Sequence, residues 1–425
     1  MVYKLGIVLL LILIVRLGLY YQKESKHNNG QFMDLETTLF TQPQILGNYQ
    51  KLTVSSDGRD KIFVTTTRFP RFNYGDYVRI SGKIKIIQVQ PTPNTSTLKG
   101  GLISNEKTIL TMSFPKIEAV KISRNDPWYL LLSLASVIRQ KVTVLFNVAL
   151  PPASAGLLLG IVFGIKSSFS PEFTENLRTA GVMHVIAASG MNVTMIGGFL
   201  SSIFALLFRR QLALVFSIFG IIFYAFIAGL EPSILRATIM GIFGFSALIL
   251  GRQYLGIYGL GLSAFLMLFI SPQLLFDVGF QLSFLATFGL LYIRPIFQGK
   301  SLIGEDVATT LAAQLATLPV LLGNFGAYSL LSVIVNGLVL WTVPILMVLG
   351  GIGAVVGLVF APLGKLFLYL SLPLLLYFQN VVSIFGNLGL KFQFQEFPLA
   401  LSIGYYLVLA SILMFIYSKK SKASL

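Results

Sequence analysis

From residue 182 to the C-terminus the chain is a succession of apolar runs joined by short connections. This constrains the fold more than any other feature. The runs cover 182–208, 212–230, 233–250, 254–270, 275–293, 307–322, 330–360, 363–390 and 399–417. About 20 apolar residues in a helix, at about 1.5 Å each, cross a hydrocarbon core of about 30 Å. Helices are favoured there because every backbone group can then be paired within its own segment. A further run at 5–21, interrupted by Arg16, brings the expectation to about ten spans. It starts on Lys4 and lacks a small-residue cleavage site, so it reads as an uncleaved anchor helix, with a signal peptide as the alternative. Composition agrees: 55% of residues are hydrophobic and 11% charged, against about 25% charged in soluble domains.

Residues 22–126 differ in kind. The stretch 77–87 (YVRISGKIKII) alternates, with Val78, Ile80, Ile84 and Ile86 on one face and Arg79, Lys83 and Lys85 on the other. That period-2 pattern predicts a half-buried strand. Residues 73–76 read as a turn, 61–67 and 108–114 as further β-rich segments, and 91–101 as a loop. The sum is a small β-domain. The Gly-Asp turn leading into a strand with Gly82 at its middle suggests an OB-like barrel, a scaffold that often binds single strands or sugars. A solvated structural domain with ordinary surface lysines is the plainer reading. Residues 127–181 read as interfacial amphipathic helices, because Arg139 and Lys141 break the run 128–150 and the run 155–165 is short.

The net charge is +16, from 32 Lys and Arg against 16 Asp and Glu. Residues 22–127 carry 15 basic and 9 acidic groups, so +6; the remainder carries 17 and 7, so +10. With a cytoplasmic N-terminus, Arg209, Arg210, Arg252, Arg294, Lys300, Lys365, Lys419, Lys420 and Lys422 fall at cytoplasmic ends, and Lys391 outside. The positive-inside rule then puts both termini in the cytoplasm and the β-domain outside. Most of the +10 thus reports orientation, and only the β-domain's +6 is left as charge for a polyanionic partner.

Ionisable and amide groups at membrane depth are costly, and so are functional candidates. They are His184, Ser189 and Asn192 in HVIAASGMNV, Glu231 and Arg236 in GLEPSILRAT, Asp277, Gln281 and Ser283 in FDVGFQLSF, then Gln314, Asn324 and Asn336. Asp277 and Gln281, at i and i+4, would share a helix face, and Arg236 and Asp277 would meet as an ion pair. Phe276, Phe280, Phe284 and Phe288 form an i, i+4 stripe, read as packing or lipid contact, or as a platform for stacked bases. Ser189 has no usable general base: His184 lies five residues earlier, on another face of a regular helix. Gly190, Gly197 and Gly198 read as small residues for close helix packing. There is no Cys and there are two His, His27 and His184. Disulfides, thiolate metal sites and a His-rich metal centre are therefore excluded, and no cofactor is expected.

Taken in order, AGVMHVIAASGMNV, GLEPSILRATIMG and SPQLLFDVGFQLSFLATFGLL resemble the signatures of ComEC-type DNA-uptake channels. LLLGIVFGIKSSFSPEFTENLRTAG and AAQLATLPVLLGNFG fit the same pattern, which covers residues 150–350 strongly and extends to 425. The resemblance implies transport of one DNA strand across the cytoplasmic membrane during natural transformation. It marks His184, Ser189, Gly190, Pro232, Arg236, Asp277, Gln281 and Ser283 as motif positions; Asn192 stands where the family commonly has His. Pathway candidates are these residues with Glu231, Gln314 and Asn336, and the barrel's candidate DNA contacts are Arg79, Lys83 and Lys85. Implied partners are single-stranded DNA, membrane lipid, a DNA receptor, a separate translocation ATPase and a second copy of the chain. Fuller members often carry a metallo-β-lactamase-like domain thought to degrade the other strand. No HxHxDH-like cluster occurs here, so the expectation is no nuclease in this chain, with any such activity on another. The alternatives are a transporter of another polymer or small anion on the same fold, and a membrane enzyme or assembly protein.

Overall fold

A computed structural model describes residues 2–22, 28–41, 43–56, 60–88, 108–120, 127–165, 169–186, 189–297, 305–329, 331–389, 391–393 and 398–423. His27, the loop 91–101, Ala187, Ala188 and Lys300 lie outside the described residues.

Helix α1 (Val2–Tyr21) leads into eight strands: β1 (Phe32–Thr38), β2 (Gln44–Leu46), β3 (Tyr49–Ser56), β4 (Asp60–Thr67), β5 (Tyr77–Lys83), β6 (Lys85–Gln88), β7 (Thr108–Ser113) and β8 (Lys116–Ala119). One sheet runs β1-β5-β8 and the other β2-β3-β4-β7-β6. β4 and β7 are parallel, with Ile62 opposite Leu110, and the other pairs are antiparallel. β5 with β6, and β7 with β8, are each one strand bent from one sheet into the other. Since β1 also packs on β3, β1, β3, β4 and these two bent strands close in the order of an OB-like barrel, with β2 added beside β3. The bends have local causes. Phe114, between β7 and β8, takes φ 50°, and Pro115 lies over Gly82, where a Cβ would sit 2.7 Å from the ring. Val78, Ile80 and Ile84 are buried with Leu39, Leu52, Val54, Ile62, Val64 and Met112, while Arg79, Lys83 and Lys85 are exposed. The inward and outward faces are those the alternation specifies.

The helical part follows: α2 (Pro127–Ala149), α3 (Pro152–Phe163), α4 (Pro171–Thr179), α5 (Met183–Ile186), α6 (Gly190–Leu207), α7 (Arg210–Ala228), α8 (Pro232–Ile249), α9 (Gly256–Ile270), α10 (Val278–Tyr292), α11 (Arg294–Phe297) and α12 (Glu305–Phe325). A short hairpin, β9 (Ala327–Ser329) with β10 (Lys391–Gln393), brackets α13 (Ser332–Val339), α14 (Thr342–Val359) and α15 (Ala361–Asn387), and α16 (Leu399–Ala423) ends the chain. Among the described residues nine helices are long and apolar enough to cross a membrane. The protein is a polytopic membrane protein with a small N-terminal β-domain.

Three segments differ from the sequence reading. The stretch Leu130–Ala149 of α2, read as interfacial, is among the nine. Its Arg139 is buried, and Nη1 donates to the Ile227 carbonyl at 2.6 Å; a charge so held does not keep a helix at the surface. Helix α3 is no surface segment either. It is buried from Ser154 to Phe163, with Gly350 of α14 against Leu158 and Val162. In its Gly160-x-x-x-Gly164, Gly160 admits Ile186 and Gly164 stops the helix at φ 64°. The run expected as a single span at 182–208 is divided into α5 with α6. The run 330–360, where Pro344 allows a kink or re-entrant turn, divides into α13 with α14.

Pro319 interrupts α12. It has no N–H to give to the Leu315 carbonyl four residues back. Tyr405 Oη of α16 donates to that carbonyl at 2.8 Å, and Tyr406 Oη to the Ala316 carbonyl at 3.1 Å. The last helix thus satisfies what the proline leaves unpaired in an apolar environment.

Candidate functional site

Short connections make α6, α8 and α10 parallel, with α7 and α9 running back between them. Their N-termini therefore lie at one end of the bundle, and the positive ends of three helix dipoles with them. Arg210 and Arg252 share a cleft at the other end. The β-domain touches the first end at two points. Lys61 Nζ of β4 pairs with Asp277 Oδ2 at 3.0 Å. The Tyr74 ring, 1% exposed, packs beneath the Arg139 guanidinium, 4.7 Å from ring centroid to Cζ. Removal from water, with no hydrogen bond to the hydroxyl, pushes Tyr74 up to about 12, against the pull of the Arg139 charge. Tyr21 of α1 joins the same end, donating to the Pro272 carbonyl at 2.8 Å and meeting Phe276 edge to face.

Buried α3 ends in this region, and its C-terminal carbonyls need partners. Asn192 Nδ2 donates to the Ile161 carbonyl at 2.6 Å, and Tyr224 Oη to the Val162 carbonyl at 2.8 Å. Asn192 is 2% exposed. Its Oδ1 accepts from Ser189 Oγ at 3.1 Å. Ser189 is extended and stands at the N-cap of α6, yet its hydroxyl is used on Asn192 and no side chain caps the helix.

Arg236, 7% exposed, reaches across this uncapped start. Nη1 donates to the Ser283 carbonyl of α10 at 2.6 Å, and the guanidinium lies 5.9 Å from the Phe284 ring centroid. Nη2 lies against Gly190, where a Cβ would be only 2.6 Å away. Nε is buried with no hydrogen-bond partner. Among the described residues no carboxylate pairs with Arg236.

The expected Arg236–Asp277 ion pair is therefore not formed. Asp277 is not on the helix face with Gln281 but is the N-cap of α10; its Oδ1 accepts from the Phe280 amide at 3.1 Å and its Oδ2 pairs with Lys61. Gln281 folds back, donating to the Leu275 carbonyl at 2.9 Å. Glu231 and Pro232 open α8. His184 is exposed on short α5, and Ser189 is bonded to Asn192, not to a base. Gly197 lies against Phe245 and Ile221, but Gly198 faces open space, so one of the three packing glycines is not one. The phenylalanine stripe is discontinuous. Phe276 belongs to a 3-10 turn with Tyr21, Phe280 and Phe284 lie 4.3 Å apart by ring centroid, and Phe288 pairs with Tyr292.

Gln314 and Asn336 form a second group. Gln314 Nε2 donates to Ser332 Oγ at 2.8 Å, Ser332 Oγ to the Ser329 carbonyl, and Ser329 Oγ to the Thr179 carbonyl. Asn336 is buried, its Oδ1 without a partner. On the barrel, Arg79 is held by Asp34 and Glu36, whereas Lys83 and Lys85 project freely outward in the exposed row. Exposed barrel aromatics that the sequence reading missed are Phe69, with Arg68 and Arg71 beside its ring, and the pair Tyr49 and Phe114. Tyr49 and Phe114 meet edge to face at 5.7 Å. The signal was present in RFPRF at 68–72, where aromatic and arginine residues alternate outside any strand. Among the described residues no group of three or more His, Asp or Glu is placed to hold a metal.

Comparison with known proteins agrees with the motif pattern. The family model described as "Competence protein" matches residues 161–419. ComE operon protein 3 of Bacillus subtilis (strain 168) is 26% identical over 328 residues, 74% of this chain and 41% of that protein. An uncharacterized protein of Aquifex aeolicus (strain VF5) is 28% identical over 180 residues, 42% of each chain. The chain thus spans about two fifths of the length of these curated relatives. No solved structure matches it.

Proposed function

The chain belongs to the competence protein family, and from that premise we propose that it is a channel subunit carrying single-stranded DNA across the cytoplasmic membrane during DNA uptake. The observation that carries this reading is the docking of the β-domain, through Lys61 and Tyr74, on the end of the bundle where α6, α8 and α10 begin and Arg236 is buried. A polyanion gathered by the barrel is delivered to an end with positive dipoles and a cation, and not to a neutral apolar surface. The exposed Tyr49, Phe69 and Phe114 with Arg68 and Arg71 are the stacking and phosphate contacts of the barrel, a pairing that binds single strands without sequence preference. Arg210 and Arg252, at the opposite end, face the cytoplasm by the positive-inside rule. This puts the β-domain outside and both termini inside. In this reading the chain moves the strand, while DNA capture and ATP-driven pulling fall to partner proteins.

Full-length protein in maltoside micelles tests the reading. It binds a single-stranded oligonucleotide at low salt, with affinity falling steeply as salt rises. Failure to bind at 20 mM salt contradicts it.

A further inference from the structure

Among the described residues Arg236 is a cation with no paired carboxylate. Removing a guanidinium from water is expensive, and the cost is ordinarily offset by a carboxylate. Here the single hydrogen bond among the described residues runs from Nη1 to a neutral carbonyl, that of Ser283. Nε is buried and unpartnered. Neither Glu231 nor Asp277 compensates it. The guanidinium lies instead on the first residue of α6, an 18-residue helix whose N-terminus no side chain caps. Residue 190 is glycine because a Cβ there would displace Nη2. Two independent features thus point into one place: an open helix N-terminus, which favours oxyanions, and a buried fork donor whose geometry matches a phosphate. The serine that would close this N-terminus turns instead to Asn192, so the helix start is left free while the end of α3 is sealed.

We infer that Gly190, Arg236 and the N-terminus of α6 form a binding site for one phosphate-type oxyanion, occupied by successive phosphodiester groups of the passing strand. The identity of the ligand rests on the proposed function; the anion chemistry rests on the geometry alone. A phospholipid headgroup offers the same chemistry. The interior position, between α6, α8 and α10 and against Ser283 and Phe284, favours the strand.

The test uses full-length protein in maltoside, which has no phosphate, and an eight-nucleotide oligothymidylate. Arg236→Gln lowers its affinity about tenfold at 50 mM salt. The slope of log K against log salt becomes shallower by about 0.7, the value of one phosphate contact on a single strand. Arg236→Lys restores the slope but not the whole affinity, because the charge returns without the fork. Gly190→Ala moves the guanidinium and weakens binding in the same direction. An oligonucleotide with a methylphosphonate backbone does not distinguish wild type from Arg236→Gln. Because the native charge is uncompensated, Arg236→Gln melts no lower than wild type, which separates an anion site from a structural arginine. If wild type and Arg236→Gln bind the oligonucleotide with equal affinity and slope, the site is wrong and the function stands. If wild type binds no oligonucleotide, the function falls and the strand assignment with it. If phosphatidylglycerol added to the micelles distinguishes the two proteins while the oligonucleotide does not, the ligand is a lipid and the inference is overturned.

Discussion

Asn192 Nδ2 donates to the Ile161 carbonyl at 2.6 Å, so a side chain from α6 closes the last turn of a buried helix 31 residues earlier. Asn192→Leu leaves that carbonyl unpaired in an apolar interior and costs about 1–3 kcal/mol. Thermal unfolding in detergent should show the loss. Asn192→His keeps a donor and should recover most of it; equal loss in both variants would mean that the bond contributes nothing.

The pair Lys61–Asp277 joins the β-domain to the start of α10. Its two partners have unequal duties, since Asp277 also caps the helix. Lys61→Ala removes a half-exposed ion pair and costs at most about 1 kcal/mol. Asp277→Ala loses the cap as well, a further 0.5–2 kcal/mol or so. Asp277→Asn keeps the cap and should melt close to Lys61→Ala. Limited proteolysis of the β-domain should speed up equally in those two variants if the pair alone holds this contact.

The charges that misled the sequence reading are those with distant partners. Arg139 marked residues 128–150 as interfacial, but its partners are Ile227 and Tyr74, 88 and 65 positions away in sequence. Arg236 and Asp277 each lie near the start of a helix, which suggests a pair, but Ser283 and Lys61 hold them instead. The inward row of β5 and β6 was legible because a strand's period is local. The N-cap role of Asp277 has a local signal too, an Asp directly before an apolar run, which competes with the i, i+4 spacing to Gln281. The break at Ser189 had no such signal, since the run 182–208 is apolar on both sides of it.

Tyr405 and Tyr406 serve the carbonyls around Pro319. Tyr405→Phe should cost about 1 kcal/mol or less, the scale of such bonds in membranes. In a Pro319→Ala background the backbone N–H returns to Leu315, and the cost of Tyr405→Phe should shrink toward zero. Additive losses in that double-mutant cycle would show that the tyrosine acts elsewhere.

Asp34 gives the β-domain an acid limit. Hydrogen bonds from Arg79 and Ser81 lower its carboxyl to about 2, against an ordinary value of about 3.9 in the unfolded chain. A group depressed in the folded state stabilises fully above its unfolded value and loses that contribution as pH falls toward the folded one. The β-domain should therefore melt progressively earlier between about pH 4 and pH 2. Asp34→Asn should flatten that part of the profile; an unchanged slope would place the acid sensitivity in another group.

Phe69, 66% exposed between Arg68 and Arg71, offers its face to a base. Phe69→Ala should weaken oligonucleotide binding by about 1–3 kcal/mol while leaving the salt slope unchanged, since stacking releases no counterions. A shallower slope with unchanged low-salt affinity would assign the cluster to phosphate contact instead.

Uptake of labelled DNA by the host, with the chain deleted and then complemented, tests whether it carries a DNA strand through the membrane. Label bound at the surface should persist, label protected from external nuclease should disappear, and complementation should restore it. Protected label entering the deletion strain at the wild-type rate would contradict the account.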